Sequence, residues 1–226
     1  MDYQRIEDET RRLQREILLR SPLLFSTPPP LHLMFRPDVA ARVLGLEYEF
    51  RDFISAADGR PDMQAAGMLD RQRGVIIVST NFSHEEQRFT GGHECAHAQL
   101  HDWAGERFAH RDRPMSMRID SAALPLPERE ANYFSACLLA PRKLVVAAFK
   151  ARFGEPPLTL DHTLAYHLGL SPMAERRLLT SAPGSLDFAL ALAGFANRHF
   201  SSLAQHFQMS VPAMALRLRE LGLVRL

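Results

Sequence analysis

Residues 93–97 read His-Glu-Cys-Ala-His, a spacing with which two histidines could hold a zinc ion. On a helix, residues four apart lie on one face, so the imidazoles of His93 and His97 can reach one tetrahedral metal. That geometry leaves room for a third ligand and a water molecule. Glu94 follows the first histidine and points to one side, where its carboxylate could act on the water as a general base. Such a short pattern also arises by chance, so the chemistry depends on the elements around it.

A helix is predicted around this motif. Ser83 is a reasonable N-cap, and the acidic residues that follow it suit the first turn of a helix. Gly91 and Gly92 each cost roughly 1 kcal/mol inside a helix relative to alanine. They would allow close approach of a strand or of substrate backbone, or would accommodate ordinary packing, which is the more common cause. Upstream, the β-branched run 74–80 predicts a strand, whose edge could hold a peptide substrate by main-chain pairing.

A third ligand is predicted on a second helix, over residues 125–141, which is bounded by prolines. Glu128 is the candidate, and Asn132, one turn later on the same face, could orient it through a hydrogen bond. Glu130 lies about 160° around the helix from Glu128, so only one of the two can readily face the metal. Without the upstream histidines, both glutamates would read as acidic residues at a helix start.

His101 lies on the same helical stripe as His93 and His97, but the geometry argues against a three-histidine site. Two turns of helix separate the end residues by roughly 12 Å, too far for both rings to reach one ion. We therefore interpret His101 as a helix-end residue, with substrate contact or proton shuttling as an alternative. The other histidines have no ligand-like spacing and are predicted to lie at the surface or the edge of the core: His110, His162, His167, His199 and His206.

Taken together, these segments resemble the ImmA/IrrE family of zinc metallopeptidases. One part of the resemblance is Arg88-Phe89-Thr90 leading into the motif at 93–97, with Leu100-His101 closing the helix. The other is residues 128–141, which look like the family's E-x-x-A-N-x-F-A-x-x-L-L-M-P block. The resemblance is firm over about residues 74–141.

The resemblance implies a zincin-like peptidase of the α+β class, mainly helical with a small β-sheet, in which Zn²⁺ is the cofactor. It implies that His93, His97 and Glu128 bind the metal and that Glu94 is the catalytic base. It prefers Glu128 over Glu130, because the family's acidic ligand stands three residues before the alanine. Family members cleave repressors of the Xre/Cro type, which releases silenced stress-response or mobile-element genes. The implied partner is thus a protein substrate, a helix-turn-helix repressor.

Three departures from the family pattern are visible. Cys95-Ala96 stands where the family usually has Leu-Gly or Phe-Gly, and Ala140 stands where it usually has methionine. Neither change touches a predicted ligand. No Xre-type DNA-binding domain precedes the peptidase stretch, although some relatives carry one.

Composition is compatible with this class of protein. The chain has 226 residues and a formal net charge of +1, so no global field points to nucleic acid or membrane binding. No apolar run approaches the roughly 20 residues that span a bilayer, and the first residues lead into a charged helix, which predicts a cytoplasmic protein. The two cysteines, Cys95 and Cys137, are predicted to be free thiols. Cys95 lies level with the proposed zinc, whereas Cys137 lies roughly 13 Å beyond Glu128 along its helix. A disulfide would need their Cα atoms within about 7 Å of each other.

Three parts are predicted along the chain: an N-terminal helix and Pro-rich break (1–30), a zincin-like metallopeptidase domain (31–150) and a helical C-terminal region (151–226). Within the second part, the local pattern predicts a helix at 38–44, a strand at 46–53 and a turn at 58–61.

Residues 202–222 read as helix, tight turn and helix, in the rhythm of a helix-turn-helix. Ser210 can cap the second helix and Gly222 ends it. Arg217 and Arg219 could meet phosphates, but the unit is weakly basic and has few polar side chains that would read bases. We favour a packed helical pair that buttresses the catalytic unit or docks the substrate over direct DNA binding.

The leading hypothesis is therefore a zinc endopeptidase that cleaves a repressor. Two alternatives are a regulatory module that contains zinc without turnover and a DNA-binding regulator.

Overall fold

The structure is a computed structural model that describes residues 1–52, 54, 65–101, 108–110, 124–180 and 185–225, with 108–110 as backbone alone. Its helices are α1 (Tyr3–Leu19), α2 (Ser21–Leu24), α3 (Pro37–Val43), α4 (His84–Leu100), α5 (Leu126–Leu139), α6 (Arg142–Phe153), α7 (His162–His167), α8 (Pro172–Leu179), α9 (Asp187–Gly194), α10 (Leu203–Phe207) and α11 (Val211–Glu220). Its strands are β1 (Glu47–Arg51), β2 (Gly67–Asp70), β3 (Val75–Ser79), β4 (Phe108–His110), β5 (Leu158–Thr159) and β6 (Val224–Arg225). The predicted mainly helical α+β fold with a small sheet is confirmed. The turn predicted at 58–61 lies outside the described residues.

Two compact units divide the chain, Met1–Leu139 and Ala140–Leu226. The three-part division with boundaries at about 30 and 150 stays a prediction, since a compact packing unit does not by itself define a domain.

The four-stranded sheet of the first unit has the order β1-β3-β2-β4. β3 pairs in parallel with β1 and antiparallel with β2, and β2 pairs antiparallel with β4. Every residue of β3 is buried, as expected for an uninterrupted apolar run that is covered on both faces. β3 therefore has a neighbour on each side, and the prediction that 74–80 offers an edge to substrate is wrong. In the described part of the sheet, the edges are β1 and β4.

Helix α4 begins as predicted, with Ser83 as its N-cap. The Ser83 hydroxyl accepts a hydrogen bond from the Glu86 main-chain N–H (3.3 Å), and the Glu86 carboxylate accepts one from the Ser83 N–H (3.0 Å). This reciprocal capping box satisfies two N–H groups that the helix cannot pair internally. The start of the metal-binding helix is thereby fixed by its own sequence.

The two glycines of α4 accommodate packing. A Cβ added at Gly92 would lie 2.5 Å from Ser135 Oγ on α5, and one at Gly91 would overlap the Tyr48 hydroxyl of β1. Ser135 is fully buried, and its hydroxyl donates to the Phe89 carbonyl of α4 (2.8 Å). Helix α4 thus approaches α5 at Gly92 and β1 at Gly91 more closely than side chains at these positions would allow.

Helix α1 packs against α5 in the first unit. Its buried side chains, among them Ile6, Leu13 and Ile17, recur at helical spacing along one face. Gln14 donates to the Cys137 carbonyl (2.9 Å), and the Tyr133 hydroxyl donates to the Glu7 carboxylate (2.8 Å). The N-terminal helix therefore braces the helix that carries the predicted acidic ligand.

In the second unit, α10 and α11 form the predicted helix, turn and helix. Ser202 and Ser210 cap the two helices, and Gln208 makes the turn with a left-handed φ of 52°. The Arg217 side chain is only 2% exposed; its Nε donates to the Ala140 carbonyl (3.1 Å) and its Nη1 lies 3.2 Å from the Glu220 carboxylate.

The suggestion that Arg217 meets phosphates is therefore wrong, because its guanidinium is buried and bonded within the unit. Arg219 is exposed. None of the described helices has the length and apolar character to cross a membrane.

Candidate metal centre

Three of the predicted residues meet at one point between α4 and α5. One ligand atom from each of His93, His97 and Glu128 lies within 4.8 Å of the other two. The Glu128 carboxylate oxygens lie 3.4 Å from His93 Nε2 and 3.2 Å from His97 Nε2, and the two Nε2 atoms are 2.7 Å apart. Two imidazoles and a carboxylate are thus gathered as a zinc site requires.

This donor set fits zinc in chemistry and size. Ligand atoms about 2.0–2.1 Å from a tetrahedral zinc lie about 3.3 Å from one another, close to both distances from Glu128. The shorter separation of the two imidazole Nε2 atoms, 2.7 Å, would have to open by about 0.6 Å. Both Nε2 atoms face the same point, and both Nδ1 atoms are engaged by other polar groups, which leaves the Nε2 lone pairs for a cation.

Asn132 contacts the site through a different residue from the one predicted. Its Oδ1 lies 2.9 Å from His93 Nδ1, so it accepts a hydrogen bond from the histidine when the opposite nitrogen binds metal. This contact does not test the prediction that Asn132 orients Glu128. The observed contact holds the His93 ring instead.

Glu94 lies on the side of α4 that faces the sheet. The residue is fully buried, and a Cβ added at Gly67 of β2 would lie 3.5 Å from Glu94 Cγ. The same Cβ would overlap Thr90 Cγ2, so Gly67 leaves space for Thr90 of α4, and Glu94 lies beside that contact. Sequence spacing gave no sign of this relation. The carboxylate is adjacent in sequence to His93, in the position of the predicted general base.

Two buried residues beside the site were not predicted to act together. His101 Nδ1 lies 3.0 Å from His97 Nδ1, and His101 Nε2 lies 3.1 Å from the Glu130 carboxylate. Burial lowers the pKa of the His101 imidazole, against the opposing effect of its hydrogen bond to Glu130. His101 is not one of the gathered ligands, in agreement with the prediction from helix length. The sequence signal for its contact with His97 is their spacing of four residues.

The end of α4 is held by a side chain from the turn after β2. Arg71 Nη2 donates to the His97 carbonyl (2.5 Å) and to the His101 carbonyl (2.6 Å). Carbonyls in the last turn of a helix have no partner within the helix, and a cation there also suits the helix dipole. Arg71 thereby fixes the turn that carries the second histidine.

Access to the site is uneven. His93 and His97 are buried, whereas the Glu128 side chain is 23% exposed. The open side is therefore the side of the α5 N-terminus. The side chain of His110, one of the other predicted histidines, lies outside the described residues.

Neither Cys95 nor Cys137 forms a disulfide, as predicted, and both are buried. The Cys95 thiol contacts the Pro37 carbonyl at 3.6 Å, and burial raises its pKa well above the ordinary value. A buried, protonated thiol is neither a metal ligand nor a reactive nucleophile. Cys95 therefore serves as a small packing residue between α3 and α4.

Comparison with known proteins agrees with this geometry. Residues 56–180, more than half of the chain, match the model of a peptidase family described as the IrrE N-terminal-like domain. The matched range includes both helices of the site. No curated protein matches the chain significantly. With its gathered histidines and glutamate inside the matched range, the chain belongs to the IrrE N-terminal-like peptidase family.

Proposed function

We propose that this protein is a zinc-dependent endopeptidase that cleaves a helix-turn-helix repressor of the Xre/Cro type. The observation that carries the proposal is the convergence of His93, His97 and Glu128. The buried Glu94 lies on α4, the helix that carries both histidines. Membership of a peptidase family supports the reaction class. The repressor substrate rests on the ImmA/IrrE resemblance alone.

The position of each residue indicates its role in the proposed reaction. His93 and His97 would hold zinc from α4, and Glu128 would complete the protein ligands from α5. A bound zinc ion supplies Lewis acidity, which activates water and polarises the scissile carbonyl. Glu94 accepts the proton of the attacking water and can return it to the leaving amine. Burial of Glu94 beside β2 keeps competing solvent away from this transfer.

Substrate would pair with β4. β4 is an edge of the described sheet next to β2, and β2 carries the glycine that faces Glu94. An extended peptide that adds to an edge strand is held by main-chain hydrogen bonds, which are independent of side-chain sequence. Specificity would then arise from pockets or from docking of the folded repressor.

A single substitution tests the reaction. Glu94→Gln keeps the size of the side chain and removes the base, so cleavage should fall by at least about 10²–10⁴-fold. The zinc content, measured by atomic absorption, should stay at the wild-type level. Glu85→Gln is the matched control: the same change in the first turn of the same helix should leave cleavage intact. Persistent cleavage by Glu94→Gln would remove Glu94 from the mechanism.

The substrate needs its own experiment. If a small helix-turn-helix repressor is encoded beside this gene, that repressor is incubated with zinc-loaded protein and its mass is followed by mass spectrometry. Discrete fragments with the wild type and none with Glu94→Gln are expected. An intact repressor that nevertheless binds would favour a non-proteolytic zinc-containing regulator.

A DNA-binding function has a separate signature. Phosphate contacts are strongest at low salt, so specific duplex binding should appear there if it exists. The burial of Arg217 removes one of the two arginines that suggested DNA binding.

We also propose a cytoplasmic location for this peptidase, because the repressor that it would cleave is intracellular.

A further inference from the structure

A line of polar contacts leads from the metal centre to the N-terminal helix. His97 Nδ1 lies 3.0 Å from His101 Nδ1, and His101 Nε2 lies 3.1 Å from Glu130 Oε2. Arg5 Nη2 of α1 lies 3.6 Å from the same Glu130 oxygen. The three inner residues are buried, whereas the Arg5 side chain is 48% exposed.

The direction of the hydrogen bonds along this line is fixed by the metal-binding atom. His97 turns Nε2 towards His93 and Glu128, so a metal ion requires that nitrogen to be unprotonated. The neutral imidazole then carries its proton on Nδ1 and donates it to His101 Nδ1. His101 must accept there, so its own proton sits on Nε2 and is donated to the Glu130 carboxylate. Among neutral tautomers, this arrangement gives both short contacts a donor and an acceptor.

We propose that His101 and Glu130 are positioning residues that hold His97 in its metal-binding tautomer and orientation, and that Arg5 anchors Glu130 from the N-terminal helix. The inference rests on the proposed metal site but not on peptide cleavage.

Each residue type suits its place. Histidine at 101 can accept on one ring nitrogen and donate from the other, which phenylalanine cannot do at all. A carboxylate at 130 ends the line with an acceptor, and its charge raises the basicity of His97 through His101. Arg5 offsets that charge where Glu130 faces α1. Asn132 gives His93 the corresponding acceptor, so both histidines have a partner behind the ring.

Zinc affinity measures the contribution of the line. The dissociation constant is obtained by competition with a chromophoric chelator for the full chain. Replacement of a partner behind a metal-bound histidine weakens metal binding by about 10–100-fold, which is the effect expected of His101→Phe and Glu130→Leu. Arg5→Gln should weaken binding by about two- to fivefold, as befits a half-exposed ion pair.

A matched control exists at the C-terminal end of the same helix. Arg20, the C-cap residue that ends α1, is 51% exposed, and its side chain pairs with Glu16 of α1, so Arg20→Gln should leave the zinc dissociation constant unchanged. Equal affinities for His101→Phe, Glu130→Leu and the control would overturn the inference. Absence of zinc binding by the wild type would instead overturn the proposed function.

The tautomers give a readout that loss of packing alone would not produce. Nitrogen-15 NMR of the zinc-loaded wild type should show His101 unprotonated at Nδ1 and protonated at Nε2. The signal of a fixed Nε2 proton should be lost in Glu130→Leu and retained in Glu130→Gln, whose amide oxygen can still accept. A wild-type His101 protonated at Nδ1 would overturn the inference, even if a variant at 101 failed to fold.

Discussion

Replacement of Gly92 by alanine tests how closely α4 and α5 must pack to form the metal centre. The added Cβ would lie 2.5 Å from Ser135 Oγ, about 0.9 Å inside ordinary contact distance. Ser135 is fully buried and its hydroxyl donates to the Phe89 carbonyl, so it cannot turn away without losing that bond. Either α5 shifts, or a hydroxyl is left buried in a poorer geometry.

The net effect follows from two opposing terms. Overpacking together with the disturbed hydroxyl should cost about 2–3 kcal/mol. Alanine in place of glycine inside a helix contributes about 1 kcal/mol in the other direction. Gly92→Ala should therefore destabilise the protein by about 1–2 kcal/mol and lower its melting temperature by about 2–8 °C for a chain of this size.

A double-mutant cycle isolates the contact. Ser135→Ala alone should cost about 1 kcal/mol, the usual value of one hydrogen bond. In the double variant the nearest atom to the new methyl group is the Cβ of residue 135, at 3.4 Å, so the clash is relieved. Urea unfolding of the four proteins should show a favourable coupling of about 1–3 kcal/mol. Additive effects, or a Gly92→Ala variant that melts higher than wild type, would refute the close packing.

Two further predictions concern other buried side chains. Burial raises the pKa of Cys95, so the folded protein holds that proton more tightly than the unfolded chain. The free energy of unfolding should therefore fall as the pH rises above about 8.5, the ordinary pKa of a thiol. In urea titrations at a series of pH values, Cys95→Ala should flatten that fall. An unchanged dependence of the unfolding free energy on pH would contradict the burial of the thiol. Arg217→Gln should destabilise the protein by about 1–3 kcal/mol, because it leaves the Ala140 carbonyl without its guanidinium donor. Arg219→Gln, at an exposed position, should change stability by less than about 0.5 kcal/mol, and equal effects of the two would be inconsistent with the structure.

The metal ligands were predictable because their geometry is mostly local. His93 and His97 need only a helix between them, and that helix has a capping box at Ser83 in its own sequence. Glu128 was within reach because the bounding prolines and the acidic start of residues 125–141 predicted the second helix, and the resemblance chose between its two glutamates. The helical periodicity alone left both glutamates open.

The position of β3 was misjudged although a signal was present. Its five residues are buried without alternation, and the first four, 75–78, form an uninterrupted apolar run in the sequence. A strand at an edge with one solvated face would instead alternate apolar and polar residues. The run therefore favours a central strand, and the edges of the described sheet are β1 and β4.

The contact between His101 and Glu130 could not be read from spacing. It depends on the rotation of α5 against α4, and that rotation is set by close approach at Gly92 and Ser135. Periodicity along one helix says which residues share a face, but it does not say which face of a second helix they meet. The same limit explains why Asn132 was assigned to Glu128, although its described contact is with His93.

The two histidines and the glutamate come to the metal position from different helices. His93 and His97 are one turn apart on a single helix, so they form a chelate whose spacing survives movement of the rest of the chain. Glu128 joins from α5, across the contact at Gly92. A metal bound to all three is thus a cross-link between two helices, and each tenfold excess of free metal over its Kd adds about 1.4 kcal/mol to the stability of the folded state. Sensitivity of unfolding to chelators becomes a property of the α4–α5 pair, quite apart from any reaction that the centre performs.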